Sequence, residues 1–234
     1  MRGGAALDLE AREHVLVGRI WSSVLGGVVL FLLFPPTREL FRQLTAAHPY
    51  LLGILKIGAL GAMGDMLAVR MRGGEWRYRG IGLRDKALVW GFLGLVFVVV
   101  FPIFSVGTEF LFRHGYLSNP FEGFGARALE AFAASSFMNL LFAPTMMVFH
   151  RVTDMAIAEG GIFRRWSPLA LLRKLDWSSM TRLVFPSLLW FWIPAHTLTF
   201  ILPPEFRIVS AALLAIALGF ILSFASRGAG APAR

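Results

Sequence analysis

The side chains of this chain that are able to do chemistry are a few polar groups inside long apolar stretches: Asp65, Asn139, His196 and Thr199. A carboxylate, an amide, an imidazole and a hydroxyl can bind small polar solutes or pass protons. Inside a membrane such groups are costly, and they often mark a pathway for ions or solutes. A structural interpretation stays open for Asp65 and His196, in which each is a hydrogen-bonding anchor between helices.

Asp65 lies on a face of small residues. Gly58 and Gly61 precede it at helical spacing, so the carboxylate is expected to face a neighbouring helix and not lipid. We expect its partner to be Arg70, Arg84 or a donor on that neighbouring helix.

Two other faces carry the remaining polar groups. Ser135 and Asn139 form one small polar face, and Trp192, His196 and Thr199 share another. The candidate pathway or interhelical residues are therefore Asp65, Arg84, Asn139, Trp192, His196 and Thr199. Prolines inside the same stretches free backbone carbonyls and predict helix kinks, at Pro102, Pro144 and Pro194.

Motifs for enzymatic chemistry are missing from the sequence. The five histidines have no metal-ligand spacing such as HxxxH, and there is neither a GxSxG motif nor a glycine loop for phosphate. The chain contains no cysteine, which excludes disulfides and thiolate chemistry. We therefore expect no enzyme, no catalytic residue, no metal and no cofactor.

The elements that must position these residues are six apolar stretches. Each has roughly the 17–25 residues that a helix needs to cross a bilayer. With 56% hydrophobic residues and a mean hydropathy of +0.65, the chain is too apolar for an ordinary soluble domain. The predicted fold is all-α, a polytopic transmembrane helical bundle in one domain, with segments 15–34, 49–69, 87–112, 128–148, 181–202 and 208–224.

The positive charge is divided unevenly between the gaps that separate these segments. A net charge of +9 could indicate nucleic acid as a partner, but seventeen of the 23 Lys and Arg residues lie at the termini and in every second gap. This division is typical of the positive-inside rule. It predicts a cytoplasmic N-terminus (1–14), a cytoplasmic tail (227–234) and no binding of nucleic acid.

Two of the gaps are predicted to be structured. Thr37 is expected to cap a short helix over 38–47, and Ser167-Pro168 is a good start for a helix over 168–177. The second of these is amphipathic and is expected to lie in the headgroup layer, with four basic residues binding anionic lipid: Arg164, Arg165, Arg173 and Lys174. The alternative is a short cytoplasmic helix packed on the bundle.

Several of these residues, taken in order, resemble the Mpv17/PMP22 family of small integral membrane proteins. The similarity covers about residues 49–226. It consists of a glycine-rich segment ending in Asp65 with Arg84 beyond, an Asn139 segment with Phe142-Ala143-Pro144, a Trp192, His196, Thr199-Phe200, Pro204 spacing followed by Arg207, and Leu222-Ser223 near the end. In the family's pattern, glutamine and asparagine stand where this chain has His196 and Thr199.

The resemblance implies an α-helical organellar or bacterial membrane protein associated with channel-like permeability. We expect a multi-pass protein of a bacterial inner (plasma) membrane that forms or gates a small polar permeation pathway. The alternative is a non-transporting scaffold that organises anionic lipid. The expected partners are the lipid bilayer and anionic headgroups, and a homo-oligomer stays open.

Overall fold

The structure is a computed structural model that describes the backbone of residues 2–229 and the side chains of residues 12–217. Helix makes up 84% of it, and the described residues contain no strand. The α-helices, in chain order, are α1 Arg2–Leu33, α2 Pro35–Ala47, α3 Pro49–Gly73, α4 Leu83–Arg113, α5 Gly123–Phe137, α6 Ala143–Ala158, α7 Pro168–Lys174, α8 Trp177–Ser179, α9 Phe185–Ser187, α10 Ile193–Ile201 and α11 Pro204–Ala229.

Five helical segments are long and apolar enough to cross a membrane, among the residues described: Arg12–Leu33, Pro49–Gly73, Leu83–Arg113, Gly123–Ala158 and Trp177–Ile201. These contain or closely match the first five predicted segments. The predicted sixth segment, 208–224, falls within α11, and the side chains of its last seven residues lie outside the described range. The predicted tail begins inside α11, and residues 230–234 are not described.

The loops that separate the segments meet at two opposite ends of the bundle. At one end, Lys86 at the start of α4 pairs with Asp154 near the end of α6, and Asp85 accepts a hydrogen bond from the backbone of Ile162. The same end carries loop 74–82, where Trp76 meets His14. We call this the basic end, because it gathers the arginine-rich gaps.

Glycines bring α3 and α4 into close contact along the middle of the bundle. A Cβ placed on Gly94 would overlap the carbonyl oxygen of Gly53, and one placed on Gly61 would overlap the ring of Trp90. Only residues without side chains allow backbones to approach this closely, which is how helices gain packing energy in lipid. The small-residue face predicted beside Asp65 therefore packs against α4.

Three prolines each follow a five-residue π-helical turn. These turns are Met138–Phe142 before Pro144, Met180–Val184 before Pro186, and Leu188–Trp192 before Pro194. Proline lacks an amide proton and its ring collides with the preceding turn, and a widened turn relieves both problems without ending the helix. Around Pro102, in contrast, α4 is continuous.

The short helices differ in part from their predicted form. Helix α2 begins at Pro35 and not at residue 38, and Thr37 does not cap it, because its hydroxyl donates to the carbonyls of Phe31 and Phe34. The predicted cap at Ser167 is confirmed, since its hydroxyl accepts from the amide of Ala170. Helix α7 ends at Lys174, three residues earlier than expected, and a new helical segment starts at Trp177.

Candidate functional site

A cluster of charged side chains joins three helices near the basic end. The Lys86 ammonium of α4 lies 2.6 Å from Oδ1 of Asp154 in α6 and 3.4 Å from Oδ2 of Asp65 in α3. His150, one turn before Asp154, places its Nδ1 3.4 Å from Oδ2 of that carboxylate. All four side chains are about four-fifths buried. We call Asp65, Lys86, His150 and Asp154 the inner charged cluster.

Three groups of the inner charged cluster lie as close together as the ligands of a metal ion do. One atom from each of Asp65, His150 and Asp154 lies within 4.8 Å of the others, which is a carboxylate and imidazole set that divalent ions accept. Lys86 already lies against both carboxylates, so the cation that they hold in this structure is its ammonium. We assign the cluster as an ion-pair network and not as a metal centre.

Trp90 connects this cluster to the interior of the bundle. Its indole N–H donates a 2.9 Å hydrogen bond to Oδ2 of Asp65, and its ring lies 4.3 Å from the ring of His150, centroid to centroid. The same ring covers Gly61. One side of Trp90 therefore belongs to the charged cluster, while the other side lines a cavity.

That cavity has a volume of about 110 Å³ and lies among α3, α4, α6, α10 and α11. At about 30 Å³ of liquid volume per molecule, it has room for roughly three or four waters. Its wall is mostly apolar, with polar or aromatic groups from Trp90, Asn139, His150, Trp192 and His196. We call it the central cavity.

Asn139 and His196 form a polar pair on the wall of the central cavity. Nδ2 of Asn139 donates to Nδ1 of His196 at 3.1 Å and to the backbone carbonyl of Ser135 at 2.9 Å. The Ser135 hydroxyl in turn donates to the carbonyl of Ile193 at 2.7 Å, next to the π-helical turn that precedes Pro194. Both Ser135 and Asn139 are fully buried. These bonds fix the amide and leave Nε2 of the imidazole as the other polar atom of that ring.

Trp192 brings an unsatisfied donor to the same wall. Its ring stacks on His196 at 5.1 Å, and its Nε1 is buried without a hydrogen-bond partner among the described residues. A buried donor without a partner costs roughly 1–3 kcal/mol. A polar solute or water in the cavity would remove this cost.

Two phenylalanines lie next to His196, on the side of the central cavity away from the basic end. Phe101 and Phe200 are both at least 95% buried, and their rings lie 5.3 Å apart. The edge of Phe101 also meets His196 at 5.9 Å. A buried apolar pair of this kind excludes water and can form a hydrophobic constriction.

A charged pocket of about 350 Å³ lies beyond this constriction, at the end opposite the basic end. The charged residues that line it are Glu109, Arg127, Glu130 and Arg207, and Phe200 and Ala134 also contribute to its wall. Arg207 is fixed there by the carbonyls of Phe200 and Leu202, each at 3.1 Å. We call this space the outer pocket.

Three of the six predicted site residues line one cavity, and a fourth is linked to it by a hydrogen bond. Asn139, Trp192 and His196 line the central cavity, and Asp65 reaches it through Trp90. Thr199 is fully buried beside it and contacts Ala195 and Ser210, so it joins α10 to α11.

Arg84 was expected to lie between helices as a possible partner of Asp65, and this prediction was wrong. Its side chain is 81% exposed, and its nearest carboxylate is Asp85 at 3.9 Å. Its guanidinium lies 5.8 Å from the ring of Phe163, outside the bundle. Lys86, two residues further along α4, takes the predicted place beside Asp65, because the helix turns residue 86 toward α3.

The basic segment around α7 packs on the bundle, as the second of the two interpretations expects. Leu171 is buried against Val152 and Ala156 of α6, so the helix packs on the bundle. Its predicted lipid-binding residues, Arg164, Arg165, Arg173 and Lys174, are nevertheless exposed, and Lys174 also pairs with Glu159 at 2.8 Å. The exposed apolar side chains of Phe163 and Leu169 lie on the same segment.

Sequence analysis missed Lys86, Trp90, His150 and Asp154. A signal for them exists, because Lys86 and Trp90, and again His150 and Asp154, are spaced i, i+4 at helix ends that the charge pattern places on one side. A search for histidine pairs alone overlooks this pattern.

Comparisons with protein-family models, with curated proteins and with solved structures find no match for this chain.

Proposed function

We propose that this membrane protein forms a gated pathway for small polar solutes, closed in the conformation described here. The observation that carries the proposal is the succession of three regions that contain polar groups through the bundle. The inner charged cluster, the central cavity and the outer pocket follow one another, separated by Trp90 on one side and by Phe101 and Phe200 on the other.

The composition of these regions favours small solutes with hydrogen-bonding groups. The central cavity offers the Trp192 N–H and the His196 imidazole within an otherwise apolar wall. Its volume of about 110 Å³ admits water, small ions with part of their hydration, or a solute of a few heavy atoms. The resemblance to the Mpv17/PMP22 family and its channel-like permeability supports the same proposal. The basic gaps support placement in a bacterial inner membrane with both termini in the cytoplasm.

Flux measurements on the reconstituted protein test this proposal. Liposomes containing the purified chain are assayed for K⁺, Na⁺ and small neutral solutes, beside empty liposomes. Asp65→Asn and His196→Ala should each change the flux, because they alter the inner charged cluster and the wall of the central cavity. Unchanged flux in both variants would count against a route through these residues.

A gate variant sharpens the test. Phe101→Ala removes half of the constriction between the central cavity and the outer pocket, and should raise the flux. Phe92→Ala, in the same helix but with half of its side chain exposed, is the matched control and should leave the flux unchanged. Equal effects of the two substitutions would argue against a gate at Phe101.

A second candidate function is a lipid-organising scaffold, favoured by the exposed basic and apolar side chains around α7. Replacing Arg164, Arg165, Arg173 and Lys174 by glutamine should weaken binding of anionic vesicles if this function is the right one. Neutral replacement of Arg113 and Arg127, at the other end of the bundle, is the control. Strong, charge-dependent binding together with no flux would favour the scaffold.

A further inference from the structure

The inner charged cluster has a charge imbalance that one proton corrects. Asp65 and Asp154 carry two negative charges and Lys86 one positive charge, so the group is negative when His150 is neutral. Uncompensated charge is expensive at a site that is about four-fifths buried. Protonation of His150 makes the group neutral, and histidine is the side chain that titrates nearest to physiological pH.

Charged groups reach His150 from α3, from α4 and from α6 itself. Helix α7 also packs on α6, but its Arg173 and Lys174 are exposed. Asp65 faces it from α3 and Lys86 from α4, while Asp154 and Arg151 belong to its own helix. Asp85 is directed elsewhere, since it accepts from the amide of Ile162. The two carboxylates attract an imidazolium at this position, and Oδ2 of Asp154 lies 3.4 Å from Nδ1 of His150.

Protonation of His150 would change its contact with Trp90. Their rings lie 4.3 Å apart, and a charged imidazolium attracts an indole face more strongly than neutral imidazole does. Trp90 also lines the central cavity and has little freedom, because it lies over Gly61 and donates to Asp65.

We infer that His150 is the proton-binding residue of this protein and that its protonation holds Trp90 over the inner mouth of the central cavity. Acid on the side of the basic end then locks the pathway closed, and neutral pH allows Trp90 to move. This gating role rests on the proposed function, whereas the proton site itself does not.

Tryptophan fluorescence tests the proton site without any flux. An imidazolium in contact with an indole quenches its emission, so the difference between the wild-type protein and Trp90→Phe should fall as the pH is lowered from neutrality into the acidic range. His150→Phe keeps a ring beside Trp90 and should abolish this pH dependence. His114→Phe, at the far end of α4, is the control and should retain it. A Trp90 signal that is constant with pH, or that titrates equally in His150→Phe, overturns the inference.

Flux measured over the same pH range tests the gate. Wild-type flux should fall by roughly threefold or more at acidic pH on the side of the basic end, which is the effect expected from a strengthened cation–π contact. Flux in His150→Phe should be independent of pH. The same pH dependence in both proteins overturns the gate. A protein with no flux at any pH contradicts the proposed function instead, and the fluorescence result then decides the proton site alone.

Discussion

The Trp90 indole donates a hydrogen bond of 2.9 Å to Oδ2 of Asp65 across the contact between α3 and α4. The Lys86 ammonium lies 3.4 Å from the same oxygen. Two side chains of α4 therefore bind one buried carboxylate near the end of α3. A carboxylate in such a place holds helices together whether or not it also serves a pathway.

Replacing Asp65 by leucine should destabilise the protein by about 1–3 kcal/mol, because Trp90 loses its acceptor and Lys86 keeps only Asp154. Asp65→Asn keeps an acceptor for the indole and should have a smaller effect. Thermal unfolding in one detergent compares the two variants. Equal destabilisation by leucine and asparagine would show that the Trp90 hydrogen bond contributes little.

Replacing Gly94 by alanine should lower stability by about 1–3 kcal/mol, because the new Cβ overlaps the Gly53 carbonyl and pushes α3 and α4 apart. Gly107→Ala is the control in the same helix. A Cβ there meets nothing within 4 Å, and alanine is the better helix former, so this variant should be neutral or slightly more stable. The two melting temperatures check the prediction, and equal shifts would contradict it.

Asn139 and His196 should be energetically coupled, since the amide donates to the imidazole at 3.1 Å. A double-mutant cycle with Asn139→Ala and His196→Ala should give a coupling of about 0.6 kcal/mol, with an upper range near 1.7 kcal/mol, as for other hydrogen bonds between membrane helices. Pairing Asn139→Ala with Thr181→Val, whose exposed hydroxyl bonds only its own helix, should give additive effects. Additivity in both cycles would mean that the pair is not formed in the membrane.

Residues 118 and 160 should lie on opposite sides of the membrane. One follows α4 and the other follows α6, so a single crossing through α5 and α6 separates them. Fusion reporters placed after these residues should report the periplasm and the cytoplasm respectively, as the positive-inside rule requires. Reporters that agree with each other would exclude this topology.

Glu39, on the exposed helix α2, should titrate far below an ordinary glutamate. Hydrogen bonds from Arg42 and Gln43 lower its pKa from 4.5 to about 2. A lowered carboxylate pKa means that its contribution to stability is present above pH 4.5 and is lost as the pH falls through about 2. Carboxyl NMR measures this titration, and Arg42→Gln should return the pKa toward 4.5. An unchanged pKa in that variant would assign the shift to another cause.

The apolar lengths in the sequence predict the helical fold well, because the length of a membrane-spanning helix is set by the bilayer and not by its neighbours. The spacing of the glycines also predicts which face of α3 packs against a neighbouring helix. Gly58, Gly61 and Asp65 all face α4. The partner of Asp65 was foreseen only as one of three alternatives. Which of Arg84 and Lys86 faces α3 depends on where α4 begins, and loop 74–82 decides that.

The central cavity was less predictable because its residues come from five helices. Asn139 and His196 are 57 positions apart, and no local pattern relates them. The π-helical turn at Met138–Phe142 also shifts the helical phase between Asn139 and His150, so spacing counted on an ideal helix misplaces one of them. Trp90 is an apolar residue in an apolar stretch, so the sequence does not mark it as a site residue. Only its contacts in the structure show that it connects the inner charged cluster to the central cavity.

The widened turns before the three prolines constrain which changes of chain length the protein can accept. An α-helix advances about 100° per residue, so removing one residue from Met138–Phe142 would restore regular winding and rotate all of α6 by that angle. His150 and Asp154 would then leave Lys86 and point toward lipid. Point substitutions at Leu140 or Leu141, which are exposed, are far milder than a deletion of either residue. Among homologues of this chain, we therefore expect side chains in the π-helical turns to vary while the number of residues does not.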